Sequence, residues 1–250
     1  MHRGILPRCN FMKKHLLTSL LLSSLTLFGC SSVETPNLEQ FTHFSGGKVA
    51  GDASSLYWMT EKLTRVSTAA DYVTMGDNGW FKSDYRWDEG ELRELIRKGE
   101  QVDTKQEQVD TKQELVPFQI HIRFNKDGEA VYQKYRVNRK VLPLQHDQLE
   151  RYKAEANDVV ASVKAQSRNN QSLIQGYWNG QSFETCKGKV FSTLEFNQTL
   201  PKFIIERLSS VDSYVAFVGK QSRNKAMVDE LLMLNDDDFD CVSRPTLISE

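Results

Sequence analysis

Few residues of this chain are placed to do chemistry, and its four cysteines are the most informative of them. Cys9 falls in the segment lost on maturation, and Cys30 ends an apolar run. Cys186 and Cys241 then form an even pair. Two cysteines without neighbouring histidines make a poor zinc site. In an oxidising compartment such a pair is expected to close a disulfide. The enclosed loop of about 55 residues would stabilise the fold by about 4 kcal/mol in the chain-entropy model. Beyond Cys30 the histidines are His43, His121 and His146, at separations that suit no compact metal motif. His121 sits in an alternating run and reads as a facial or core histidine. Asp236-Asp237-Asp238 with Asp240 lacks the glycine and the distant glutamate of a calcium loop, and reads as a solvated acidic turn. There is no Gly-x-Ser-x-Gly elbow and no Gly-rich phosphate loop after a strand. Trp58, Trp80, Trp87 and Trp178 could line a ligand groove, but aromatics alternating on strands favour a core. The expectation is therefore no catalytic residue, no metal and no cofactor.

Cys30 asks for a different chemistry. It follows a basic start at Met12-Lys13-Lys14-His15 and a run from Leu16 to Phe28 made only of Leu, Thr, Ser and Phe. Thirteen residues rise only about 20 Å as a helix, too short for a bilayer core of about 30 Å. This is an export signal over residues 1–29, and Met12 begins a complete one by itself. Leu27-Phe28-Gly29-Cys30 resembles the lipobox of bacterial lipoproteins, in which the cysteine thiol receives a diacylglycerol and the chain is cut before it. Cys30 is the expected lipidation site, and residues 30–41 form a polar tether.

Removing the 29-residue signal from the 250 leaves 221 residues, room for one large domain or two small ones. It also removes Arg3, Arg8, Lys13 and Lys14, so the net charge falls from −1 to −5. An acidic chain gains nothing from phosphate counterion release, which argues against nucleic acid. The same balance argues against adhesion to anionic lipid beyond the covalent anchor.

The elements that must position these residues are mostly strands. Over residues 42–145, aromatic and β-branched runs (Leu56 to Met59, Tyr72 to Met75, Trp80-Phe81, Tyr85 to Trp87) alternate with Gly46-Gly47, Asp77-Asn78-Gly79 and Asp88-Glu89-Gly90. Phe118 to Phe124 alternates strictly, turns at Asn125 to Gly128 and returns from Ala130 to Val137. Glu100 to Gln106 repeats unchanged as Glu107 to Gln113, a duplication suited to an exposed loop. Within 146–170 the stripe Leu149, Tyr152, Ala156, Val159, Val163 predicts an amphipathic helix from about Gln148 to Ser167, with Asp147 and Glu150 as a capping box. Over 171–250 a three-strand meander, a short helix opened by Pro201 and a last strand pair are expected. The predicted class is α+β: mainly antiparallel sheet, one long amphipathic helix and a small C-terminal β unit.

Tyr85-Arg86-Trp87, Ile122-Arg123-Phe124 with Asp127-Gly128, and the helix start Asp147-Gln148-Leu149 occur in this order. Gly176-Tyr177-Trp178, Thr185 to Lys189 and Asp238-Phe239-Asp240-Cys241 follow. Together they resemble the YjaH-like family of uncharacterised gammaproteobacterial lipoproteins across nearly the whole mature chain. The resemblance implies a lipoprotein with this cysteine pair and implies no mechanism. Ser31, where the sorting rule of lipoproteins reads Asp as retention in the inner membrane, points to the outer membrane and its periplasmic face. The expected function is a membrane-anchored binding or envelope-maintenance protein, with an envelope protein or wall fragment as partner. The alternative is a hydrolase of an envelope polymer that uses Glu184 or Glu195 for acid-base work.

Overall fold

The computed structural model describes residues 40–103 and 114–248. The export signal, Cys30, the tether to residue 39 and residues 104–113 of the duplication lie outside the described residues. Eight strands come first: β1 Phe41–Ala50, β2 Ala53–Lys62, β3 Arg65–Thr74, β4 Gly79–Asp88, β5 Glu91–Val102, β6 Leu115–Phe124, β7 Ala130–Val137 and β8 Lys140–Leu142. Each pairs antiparallel with the next in one meander. Its tightest turns place both central residues at positive φ: Leu63 and Thr64 (49° and 67°), Asn138 and Arg139 (43° and 69°). That geometry matches the right-handed twist of the flanking strands.

Helix α1 (His146–Arg168) leads into β9 (Ser172–Trp178), β10 (Phe183–Thr185), β11 (Val190–Phe191) and β12 (Thr193–Phe196). Helix α2 (Lys202–Ser210), β13 (Ser213–Gln221) and β14 (Lys225–Asp236) complete a second sheet, ordered β11-β10-β9-β13-β14-β12.

Strand alternation divides the apolar side chains among three cores. Tyr57, Met59, Tyr85, Leu95 and Ile122 point to one face of the first sheet, where α1 lays Tyr152, Ala156, Val159 and Val163 against them. Leu56 and Trp58, on the opposite face, meet Tyr214, Ala216 and Val218 of the second sheet. The far face of that sheet, with Val215 and Phe217, is covered by Leu208 and Ile204 of α2. The chain thus stacks helix, sheet, sheet and helix.

The α+β class does not hold. Two sheets dominate the described residues and only two α-helices accompany them. The expected small C-terminal β unit is a six-stranded second sheet packed on the first, and β5, whose Glu91-Leu92-Arg93-Glu94-Leu95-Ile96-Arg97-Lys98 carries helix-forming residues, sits as a strand between β4 and β6. Tertiary pairing overrides local preference there. Gly46-Gly47 is not a turn but the middle of β1. A Cβ at Gly46 would run into Gln166 and one at Gly47 into Ser55 and Leu232, so the pair lets α1 and β14 close in from opposite faces. The expected third meander strand divides: β11 pairs with β10, whereas β12 crosses over and runs parallel to β14. α1 begins two residues early, its capping box formed by Gln145 and Gln148 rather than by Asp147 and Glu150. The first residues of the duplication, Glu100 to Val102, belong to β5 and pair with β6.

Candidate functional site

The antiparallel register lines up one polar row across the face of the first sheet that lies away from α1. His43 of β1 faces Thr60, Thr60 faces Thr68, Thr68 faces Arg86, Arg86 faces Glu94 and Glu94 faces Arg123. Each comes from a different strand. Cross-strand neighbours stand about 4.5–5.5 Å apart at Cβ, so such a row is a continuous line of side chains.

Glu94 is the buried hub of the row, its side chain 3% exposed. Arg86 Nη2 donates to its Oε2 at 2.6 Å, while His121 Nε2 and Arg123 Nε lie 2.8 and 3.0 Å from its Oε1. Burial works to raise the Glu94 pKa, but the hydrogen bonds from His121 and Arg123 and the charges of Arg86 and Arg123 outweigh it and hold the carboxyl below its ordinary range. A carboxyl whose pKa falls on folding adds stability that is complete above the unfolded value, about 4.3, and is lost as pH drops through the folded value. The unfolding free energies of wild type and Glu94→Gln should therefore converge as acid urea titrations pass below the ordinary carboxyl range. A gap that stays constant with pH would remove Glu94 from that role.

At the β1–β4 end the row forms the floor of a cleft of about 350 Å³. Its roof is the tail after β14. Asp84, 4% exposed, accepts the backbone N–H groups of Leu247 and Ile248 at 2.9 and 3.0 Å. Arg244 donates from Nη2 to Thr68 Oγ1 at 2.9 Å and stands 3.8 Å from Asp84. The tail is tied down at its start as well, because Cys186 and Cys241 are joined in a disulfide. Gln175 fixes the next residue, accepting from the Val242 N–H at 2.9 Å and donating to its carbonyl at 3.1 Å.

Residues 45–246 match the model of a family described as a protein of unknown function, DUF1481. The chain belongs to that family. No curated protein and no solved structure matches it. The matched segment includes both cysteines of the disulfide, the hub Glu94 and Arg244, and stops just before the two backbone donors to Asp84.

The opposite face of the same sheet holds a second polar group that is sealed. Asp71, Tyr85 and Arg97 are 3%, 0% and 5% exposed beneath α1. Tyr85 donates to Asp71 Oδ2 at 2.7 Å. Arg97 donates to Ser83 Oγ at 2.8 Å and to the Tyr85 hydroxyl at 3.1 Å, and pairs with Glu155 of α1 at 2.8 Å. Its guanidinium lies 4.0 Å from the centre of the Phe81 ring. Burial raises the Asp71 pKa, against the charge of Arg97 and the hydrogen bond from Tyr85. Burial and the charge of Asp71 push the Tyr85 hydroxyl well above its ordinary range. Through the Arg97–Glu155 pair this group orients α1 on the sheet.

The residues singled out by sequence are scattered. His43 lines the cleft, His121 joins Glu94, and His146 is the first residue of α1. Among the described residues no group of three or more His, Cys, Asp or Glu side chains could hold a metal ion. Asp236 to Asp238 and Asp240 form an exposed turn, in which Asp236 accepts from Arg207 at 2.6 Å. Trp87 is core. Trp58, Trp80 and Trp178 are half-buried, the last two donating to Glu100 and to the Leu208 carbonyl. Glu184 and Glu195 are exposed on β10 and β12, with Glu195 paired to Lys225. Sequence reasoning missed Asp71, Glu94, Arg97 and Arg244. For Asp71 a signal existed, a lone charge inside Ala69-Ala70-Asp71-Tyr72-Val73. For the others, only the pairing of strands reveals the role.

Proposed function

We propose that this member of the family is a lipoprotein of the bacterial cell envelope, tethered through a lipid on Cys30 and acting by binding rather than by catalysis. The disulfide between Cys186 and Cys241 carries this reading. Such bonds persist in oxidising compartments and are rare where thiols are kept reduced. It agrees with the export signal and with the Leu27-Phe28-Gly29-Cys30 lipobox. The YjaH-like lipoproteins are the finer form of the family assignment, and Ser31 favours the outer membrane and its periplasmic face.

The hydrolase alternative gains no support from Glu184 and Glu195 taken together. β10 and β12 stand four strands apart in the second sheet, roughly 19 Å at the usual strand spacing. Glycosidase carboxylates stand about 5–9.5 Å apart. Glu184 and Glu195 cannot work as such a pair. The cleft over β1–β4, with its hydroxyls and cations, supports binding of a polar partner such as a wall fragment or an envelope protein.

Cys30→Ala should yield a protein that takes up no radiolabelled palmitate. Native protein should band with outer-membrane markers on a sucrose gradient, and Ser31→Asp should shift it toward the inner membrane. Palmitate retained by the Cys30→Ala protein would overturn the anchor. Native protein banding with the inner membrane would overturn the sorting alone.

A further inference from the structure

The geometry points to the cleft between the β1–β4 row and the tail as a binding site for a phosphate-type oxyanion. This takes up the binding half of the proposed function and does not depend on the lipid anchor.

The cleft wall is rich in donors. His43 turns Nδ1 to Thr60 Oγ1 at 3.1 Å, and no described protein group engages its Nε2. Arg86 is 46% exposed and shares its single carboxylate partner, Glu94, with Arg123 and His121, so its charge is only partly neutralised. Arg244 reaches Thr68 through Nη2 alone, and its Nε is buried without a hydrogen-bond partner. Thr60, Thr68 and Thr246 add hydroxyls to the same wall. The single carboxylate there, Asp84, spends one oxygen on two backbone N–H groups and keeps the other 3.8 Å from Arg244.

Two guanidiniums with flanking hydroxyls form the donor set that matches a tetrahedral, multiply charged oxyanion. The surroundings favour the same sign. On the next rows of this face, Lys82 stands opposite Lys98, and Gln119 opposite Arg136, while Lys134 lies opposite His121. The chain as a whole carries a net charge of −1. A cationic face on an acidic protein draws anions toward itself rather than to the remaining surface.

A phosphate of this kind could be free or could belong to a lipid headgroup, and one experiment separates the two. The full-length chain in nonionic detergent is titrated with inorganic phosphate while the Nε–H signals of Arg86 and Arg244 are followed by NMR. The same signals are then recorded in micelles containing phosphatidylglycerol or phosphatidylcholine, without phosphate. Saturable shifts with inorganic phosphate would assign a free oxyanion. Shifts with phosphatidylglycerol but not with phosphate or phosphatidylcholine would assign an anionic headgroup. In either case Arg244→Gln and Thr246→Val, with unfolding curves close to wild type, should weaken the response of Arg86, the first by at least about tenfold. No shift with any of the three additives, or an Arg86 response that both variants leave untouched, overturns the site. A protein lacking lipid on Cys30 would give the same titration, so failure of the anchor and failure of the cleft are read separately.

Discussion

Replacing Arg97 with methionine should lower the unfolding free energy by about 3–5 kcal/mol, the largest loss expected from any single change outside the disulfide. Among the described residues the guanidinium is the only cation in contact with the buried group Asp71–Tyr85–Ser83, and it also ties that group to Glu155 of α1. Methionine keeps much of the volume against Phe81 and removes every donor. Asp71, 3% exposed and with Oδ1 already lacking a hydrogen-bond partner, would then be a buried carboxylate with no countercharge. Breaking a buried pair by removing one partner is costly because the other charge remains. Urea unfolding followed by tryptophan fluorescence measures the loss. Adding Asp71→Asn to Arg97→Met should restore part of it, since the amide carries no charge to strand. A loss below about 1 kcal/mol would show that the sheet and α1 repack around the change without the network.

The second large effect is expected from the disulfide. Changing Cys186 and Cys241 together to alanine should cost about 4 kcal/mol, because the bond closes a sequence separation of 55 residues and restricts the unfolded chain accordingly. The structure adds a local consequence. Cys241 anchors the tail at β10, and the tail carries Arg244, Leu247 and Ile248 onto the β3–β4 surface. Without the bond the tail is left with the hydrogen bonds of Gln175, Thr68, Asp84 and Tyr177 and the packing of Phe239 and Val242. Limited proteolysis should therefore cut after Cys241 faster in the double variant, under conditions where the two sheets remain folded. Equal cutting rates would mean that these hydrogen bonds alone hold the tail. Cleft binding should weaken along with tail attachment, because Arg244 and Thr246 leave with it.

Part of this molecule was legible before any coordinates. The stripe Leu149, Tyr152, Ala156, Val159, Val163 marks the inward face of α1, the last four buried and Leu149 partly so, because helical period is a local property of the chain. The Asn125 to Gly128 turn was legible for the same reason: Asn125 Oδ1 accepts the N–H groups of Asp127 and Glu129, and Gly128 takes a φ of 77°. The cysteine pair could be matched by elimination.

Where local and non-local forces disagree, sequence was a poor guide. Leu63-Thr64 bears none of the marks of a tight hairpin turn, yet the pairing of β2 with β3 forces both residues to positive φ. β5 carries helix-forming residues and is a strand between β4 and β6, and the move from α+β to two stacked sheets comes from the C-terminal strands, which pair into a six-stranded sheet. The candidate site depended wholly on tertiary structure. His43, Thr60, Thr68, Arg86, Glu94 and Arg123 span 81 positions of sequence and become neighbours only through strand register. Net charge averages over the surface, so an acidic chain gave no sign of a cationic face. That face exists because the alternation of β4 to β7 turns Arg86, Lys98, Arg123 and Arg136 the same way, while Asp84 and Glu94 on the same face are buried and Glu100 is engaged by Trp80. Sequence thus fixes which residues are available and, through period, which way each one points; only the folded register decides which of them meet.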